Sequence, residues 1–113
     1  MGVAVSARVV LVVEDEAFVR AAIADEFRSY GWHVLEAASG EQAIALMADN
    51  HVDIVFTDIQ LGGVLSGWDT AEALRAKVPA MAILYTSGNA CDAARQVGGS
   101  LFIGKPYEAG RGA

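Results

Sequence analysis

Cysteine occurs once in this sequence, at Cys91, so no internal disulfide can form, and a reducing, cytoplasmic setting is the expectation. Cys91 itself reads as a small apolar residue on a helix rather than as a catalytic thiol. Histidine occurs twice, at His33 and His51, and neither sits in the kind of cluster that binds zinc. Basic residues are scarce too: 8 lysines and arginines against 14 acids give a formal net charge of -6. No basic stripe is left to meet phosphates, which argues against nucleic acid and anionic membrane as partners. No apolar run approaches the roughly 20 residues of a membrane span. The opening MGVAVSA is short for a signal peptide and lacks its positive start. No repeat, low-complexity stretch or linker divides the chain, so a single domain over 1–113 is expected.

Apolar residues are plentiful instead. The chain is 54% hydrophobic and 19% charged, a composition that folds around a core. Short β-branched runs read as buried strands: RVVLVVE (8–14), WHVLEA (32–37), VDIVFTD (52–58), MAILYTS (81–87) and SLFIG (100–104). Helical spacing fills the gaps between them. Val19, Ile23, Phe27 and Tyr30 form one stripe, and Gly31 ends it. Ser39 with Gln42 has the spacing of a capping box, and Ser66 with Asp69 gives a similar start signal. Asn89 opens a short fourth helix that stops at Gly98-Gly99. Trp68 reads as a contact between the third helix and the sheet; Trp32 and His33 fall at the start of the second strand. Strand-helix alternation of this kind predicts an α/β fold, a parallel sheet with helices on both faces.

In such a sheet, chemistry gathers beyond the C-terminal ends of the strands. The first strand ends in Glu14-Asp15, the third in Asp58, the fourth in Thr86-Ser87 and the fifth in Lys105-Pro106. The second ends in Ala37-Ala38 and supplies nothing polar. Converging carboxylates repel unless a cation joins them. Mg²⁺ suits them, because it takes oxygen ligands from one or two carboxylates and completes its shell with water and phosphate. Asp58 could then act as a nucleophile through an aspartyl-phosphate. Phosphoryl transfer needs positioning and positive charge, which Mg²⁺ and Lys105 would supply beside the Thr86 hydroxyl. Each residue also has an ordinary reading. Asp15 could N-cap the first helix with Glu16 favouring its dipole, Asp58 could close a turn, and Lys105 could be a solvated lysine. Their joint placement at successive strand ends is what favours the chemical reading.

With those residues in place, the chain resembles the receiver domain of bacterial two-component response regulators. The matching motifs are VLVVEDE, DIVFTDIQL, ILYTSG and LFIGKPY, in order and in register. The resemblance implies a doubly wound, flavodoxin-like, five-stranded parallel sheet in the order 2-1-3-4-5. It implies Asp58 as phosphoacceptor, Asp15 as a direct Mg²⁺ ligand, Glu14 acting through water and the Gln60 backbone carbonyl as a further ligand. Thr86 matches the switch hydroxyl, Lys105 the lysine that pairs with the phosphoryl group, and Phe102 the aromatic switch. The Lys105-Pro106 bond is expected to be cis.

The implied role is a phosphorylation-dependent switch rather than a turnover enzyme. A sensor histidine kinase or phosphotransfer protein would donate to Asp58, and an unknown output protein would read the result. Two other readings compete. One is a pseudo-receiver that only binds. The other is an aspartyl-phosphate hydrolase of the haloacid-dehalogenase type, which wants an aspartate where this chain has Gln60 and needs room for a cap domain. The sequence departs from the family in three places. DIQLGGVLSG has glycines where relatives often have proline, and is one residue longer before Gly67. The stretch between Thr86 and Lys105 is short. KPYEAGRGA ends where relatives have a fifth helix, so a homodimer over the face left open, or a longer parent protein, is expected.

Overall fold

A computed structural model describes residues 8–87 and the backbone of the strand at 101–104. The described elements run β1 (Val9–Val13), α1 (Ala17–Ser29), β2 (His33–Ala37), α2 (Gly40–Asp49), β3 (Ile54–Asp58), α3 (Gly67–Lys77), β4 (Ala82–Ser87) and β5 (Leu101–Gly104). The strands are parallel and lie in the order β2-β1-β3-β4-β5. The expected α/β class with a parallel sheet is therefore what the chain adopts. The fourth helix from Asn89, Cys91, the Lys105-Pro106 bond and the region of the fifth helix lie outside the described residues.

Alternation along β1 explains why this strand is apolar throughout. Val10 and Val12 face one side, where they pack with Ile23 and Ala24 of α1, Val34 of β2 and Phe56 of β3. Leu11 and Val13 face the other, joining Ala43 and Met47 of α2, Trp68, Ala71 and Leu74 of α3, and Ile83 and Tyr85 of β4. A strand at the centre of a doubly covered sheet has no solvent face, so neither set of alternate positions can be polar. Trp68 makes the helix-sheet contact expected of it: its ring meets Tyr85 at a centroid distance of 4.6 Å. Phe27 stands edge-on to both Trp32 and Phe56, at 5.6 and 5.9 Å.

The helix ends differ in how they are fastened. At α3 the capping box is complete: Asp69 N–H donates to Ser66 Oγ at 3.1 Å, and Ser66 N–H donates to Asp69 Oδ2 at 3.0 Å. Two otherwise unpaired backbone donors are satisfied at once. Ser66→Ala is expected to cost about 1 kcal/mol, read as a lowered midpoint in urea unfolding. At α2 the box is only half closed. Gln42 N–H donates to Ser39 Oγ, but the Gln42 side chain accepts from Ala38 N–H at 2.7 Å, one residue before the cap.

Two readings of α1 need correction. Its cap residue is Glu16, not Asp15, and Glu16 makes no side-chain cap hydrogen bond. Asp15 therefore stays outside the helix. The apolar stripe also ends one step early, because Tyr30 is 74% exposed while Val19 and Phe27 pack onto the core. Tyr30 is the residue that ends α1, beyond its last helical turn. Gly31 comes next with φ of 90°, the left-handed conformation that lets the chain reverse into β2.

At the opposite end of the strands, Asp53 ties the start of β3 to β1. Its Oδ2 accepts from Val9 N–H at 2.7 Å and its Oδ1 meets His51 Nε2 at 2.8 Å. The Val9 N–H, then His51, hold its carboxyl below the usual range. His51 is thus a hydrogen-bond partner of Asp53.

Candidate functional site

Three strands end at one corner of the sheet, and each carries acid or hydroxyl groups there. Glu14 and Asp15 follow β1, Asp58 ends β3, and Thr86 lies directly beside Asp58 in the β3-β4 ladder. Carboxylate oxygens of Glu14, Asp15 and Asp58 all come within 4.8 Å of one another. Glu14 and Asp58 are buried, whereas Asp15 is exposed. The sheet assembles this cluster because β1 and β3 are neighbours, although 43 positions separate Asp15 from Asp58 in the sequence.

Glu14 is held at several atoms. Its N–H donates to the Ala37 carbonyl at 3.0 Å, extending the β1-β2 ladder by one residue. Its carbonyl accepts from the Arg20 guanidinium at 2.8 Å. Its Oε2 accepts from Glu16 N–H at 3.3 Å. Asp58 is similarly enclosed: its Oδ1 accepts from Gln60 N–H at 3.0 Å, and its carbonyl accepts from Thr57 Oγ1. Ile59 N–H donates to the Thr86 carbonyl, which continues the ladder past the acid. Buried carboxylates placed this closely repel one another, and an all-oxygen set of this kind is what a hard divalent cation takes up.

The Thr86 hydroxyl is completely buried and has no hydrogen-bond partner among the described residues. A buried, unpaired hydroxyl costs free energy, so in a folded protein it calls for a reason. Beside Asp58, it is placed to meet an added acceptor oxygen.

The loop from β3 to α3 closes over the cluster. A Cβ on Gly62 would come within 2.9 Å of Asp15 Oδ2, so the loop backbone passes close to that carboxylate. Val64 N–H donates to Glu41 Oε2 at the start of α2. The loop ends where Gly67 N–H donates to the Ile59 carbonyl at 2.7 Å.

Of the residues singled out in the sequence, Glu14, Asp15, Asp58 and Thr86 come together here, and the Gln60 backbone adjoins Asp58. Phe102 pairs in register with Tyr85 through the backbone, while its ring lies outside the described residues, as do Lys105 and Pro106. Sequence reasoning missed Arg20, Gly62 and Glu41. Arg20 left one readable signal: it is the sole lysine or arginine between Arg8 and Arg28.

The family model for the response regulator receiver domain matches residues 10–112. A curated relative, the autoinducer 1 sensor kinase/phosphatase LuxN of Vibrio campbellii, is 32% identical over 79 residues, 70% of this chain and 9% of its own length. A cyclic di-GMP phosphodiesterase of Thermotoga maritima is 31% identical over 101 residues, 86% of this chain and 27% of that protein. The chain thus spans only a small part of these curated relatives. Among solved structures, a response regulator receiver protein from Sinorhizobium medicae superposes with a TM-score of 0.85 at 30% identity, over 91% of this chain and 86% of that one. Sheet order, acid corner and family match agree along most of the chain, which belongs to the response regulator receiver domain family.

Proposed function

We propose that residues 1–113 act as one receiver domain that takes a phosphoryl group onto Asp58, with Mg²⁺ bound at Glu14, Asp15 and Asp58. The observation that carries this reading is the pairing of buried Asp58 with the Thr86 hydroxyl beside it, which has no partner among the described residues, at the edge of an acid cluster. In the proposed step, an Asp58 carboxylate oxygen attacks the phosphorus of a phosphohistidine. The P–N bond breaks as the P–O bond forms, and the imidazole leaves. Mg²⁺, when bound, supplies the positive charge that offsets the negative charge gathering on the transferred group. Thr86 then donates its hydroxyl hydrogen to a phosphoryl oxygen. Lys105 would supply a second positive charge, the Gln60 backbone carbonyl would be a further ligand of the cation, and Glu14 would act on it through water. The donor is a sensor histidine kinase or phosphotransfer protein, and the output passes through another protein. Thr86 and Phe102 are the elements that turn on phosphorylation.

Receiver domains are signalling modules rather than classical enzymes, and no helix among the described residues is long and apolar enough to cross a membrane. Incubation with MgCl₂ and a small phosphodonor is expected to add one phosphoryl mass to the wild type and none to Asp58→Asn. Equal labelling of the two, or no labelling of either, overturns the proposal. Undetectable Mg²⁺ binding would instead indicate a binding-only pseudo-receiver, and sustained phosphomonoester turnover a hydrolase.

A further inference from the structure

The Arg20 guanidinium is fastened to the framework that carries the three acids. Its Nη1 donates to the Glu14 carbonyl at 2.8 Å, and its Nε lies 3.4 Å from Glu36 Oε1 on β2. The side chain is only 20% exposed. One guanidinium therefore ties α1, the β1-α1 turn and β2 together.

The peptide bond makes this tie consequential. The Glu14 carbonyl and the Asp15 Cα belong to one rigid plane, so a hydrogen bond that orients the carbonyl also orients the residue that follows. Glu14 N–H is anchored to Ala37 on one side of the residue, and the Arg20 bond fixes the plane on the other. The cap residue of α1, Glu16, makes no side-chain cap bond that could do the same. The β1-α1 turn is fastened instead by Glu16 N–H donating to Glu14 Oε2 and by the Arg20 side chain, folded back onto the Glu14 carbonyl. We infer that Arg20 is a positioning residue: it sets the Glu14-Asp15 peptide so that both carboxylates face Asp58 at cation-binding distance.

This inference rests on the proposed Mg²⁺ site, and its test separates the two. Electrostatics alone predicts the opposite sign, since a guanidinium near three acids repels Mg²⁺ and its removal should tighten binding. Positioning predicts weaker binding. The experiment titrates wild type, Arg20→Met and Arg20→Lys with MgCl₂ and follows amide chemical shifts at 13–16 and 57–60, with unfolding curves recorded on the same samples. Arg20→Met is expected to bind Mg²⁺ about tenfold more weakly, the lower end of what loss of an outer-shell partner costs. Arg20→Lys, which keeps a donor, is expected to recover most of that loss. Should Arg20→Met fail to fold, Arg20→Gln takes its place with the same sign expected. Binding by the uncharged variant as tight as wild type, or tighter, overturns the inference while leaving the site proposal intact. Absence of Mg²⁺ binding by wild type overturns both.

Discussion

Asp15→Asn is expected to lose Mg²⁺-dependent phosphorylation of Asp58 while gaining stability in the metal-free state. The two effects share one cause. Oxygens of three carboxylates lie within 4.8 Å of one another, and without a cation their charges repel. Asparagine keeps the shape of Asp15 and removes its charge. The repulsion falls, so the metal-free protein unfolds at a higher temperature. A divalent ion, however, loses an anionic ligand in a site built of few. A hundredfold fall in Mg²⁺ affinity, about 2.7 kcal/mol, is the expected scale. Thermal unfolding without metal, and phosphodonor labelling across a MgCl₂ series, read the two arms. Opposite directions are the signature. A variant that lost both labelling and stability would instead mean that Asp15 is needed for the fold, which its exposed position argues against.

Gly67→Ala sets two effects against each other. Helix propensity favours alanine over glycine by up to about 1 kcal/mol, which taken alone predicts a gain. Sterics decide otherwise. A Cβ on Gly67 would collide with the Asp58 carbonyl oxygen and with Ile59 Cα, both backbone atoms that no rotamer change can move aside. The start of α3 would have to withdraw, stretching the bond from Gly67 N–H to the Ile59 carbonyl. A net loss of about 2–3 kcal/mol is expected, the upper part of the range for overpacking, measured as a shifted urea midpoint. Phosphorylation should fall as well, because the displaced backbone is that of the phosphoacceptor. Gly63→Ala is the control. Its nearest neighbour is Glu41 Oε1 at 3.1 Å, the tip of an exposed side chain that can shift at the cost of, at most, its exposed hydrogen bond from Val64 N–H. Unchanged stability in Gly67→Ala would mean that α3 docks more loosely than the geometry requires.

Much of this framework is legible in the residues alone. Strand positions follow from short apolar runs, and their parallel arrangement from the helices between them. The acid corner follows from reading what stands at each strand end, because Glu14, Asp15, Asp58 and Thr86 all terminate or follow β-runs. Strand order is not legible that way: periodicity says nothing about which strand lies beside which, and the order comes from the likeness to receivers. Local capping is legible only where both partners lie three residues apart. Ser66 and Asp69 satisfy that rule. Gln42 looks like the equivalent of Asp69 but turns to Ala38 N–H instead, a choice set by backbone direction ahead of the cap. The role of Arg20 is not legible, beyond its being a lone basic residue, because its partners, the Glu14 carbonyl and Glu36, come from a turn and a different strand. Gly62 reads as a substitution for proline, but its closeness to Asp15 exists only once β1 and β3 are paired.

The loop that carries Gly62 leaves the fold and rejoins it at almost the same point, because Gly67 N–H reaches back to the Ile59 carbonyl. Whatever lies between those two residues is a closed excursion, and its length is decoupled from the spacing of β3 and α3. Adding one residue to an excursion of this size costs only about 0.1 kcal/mol in closure entropy. A change of one residue in this excursion can therefore be absorbed without moving Asp58 or the start of α3. The same decoupling makes this segment the place where the entrance to the acid site can be rebuilt, by insertion or shuffling, with the strand and helix on either side serving as fixed posts.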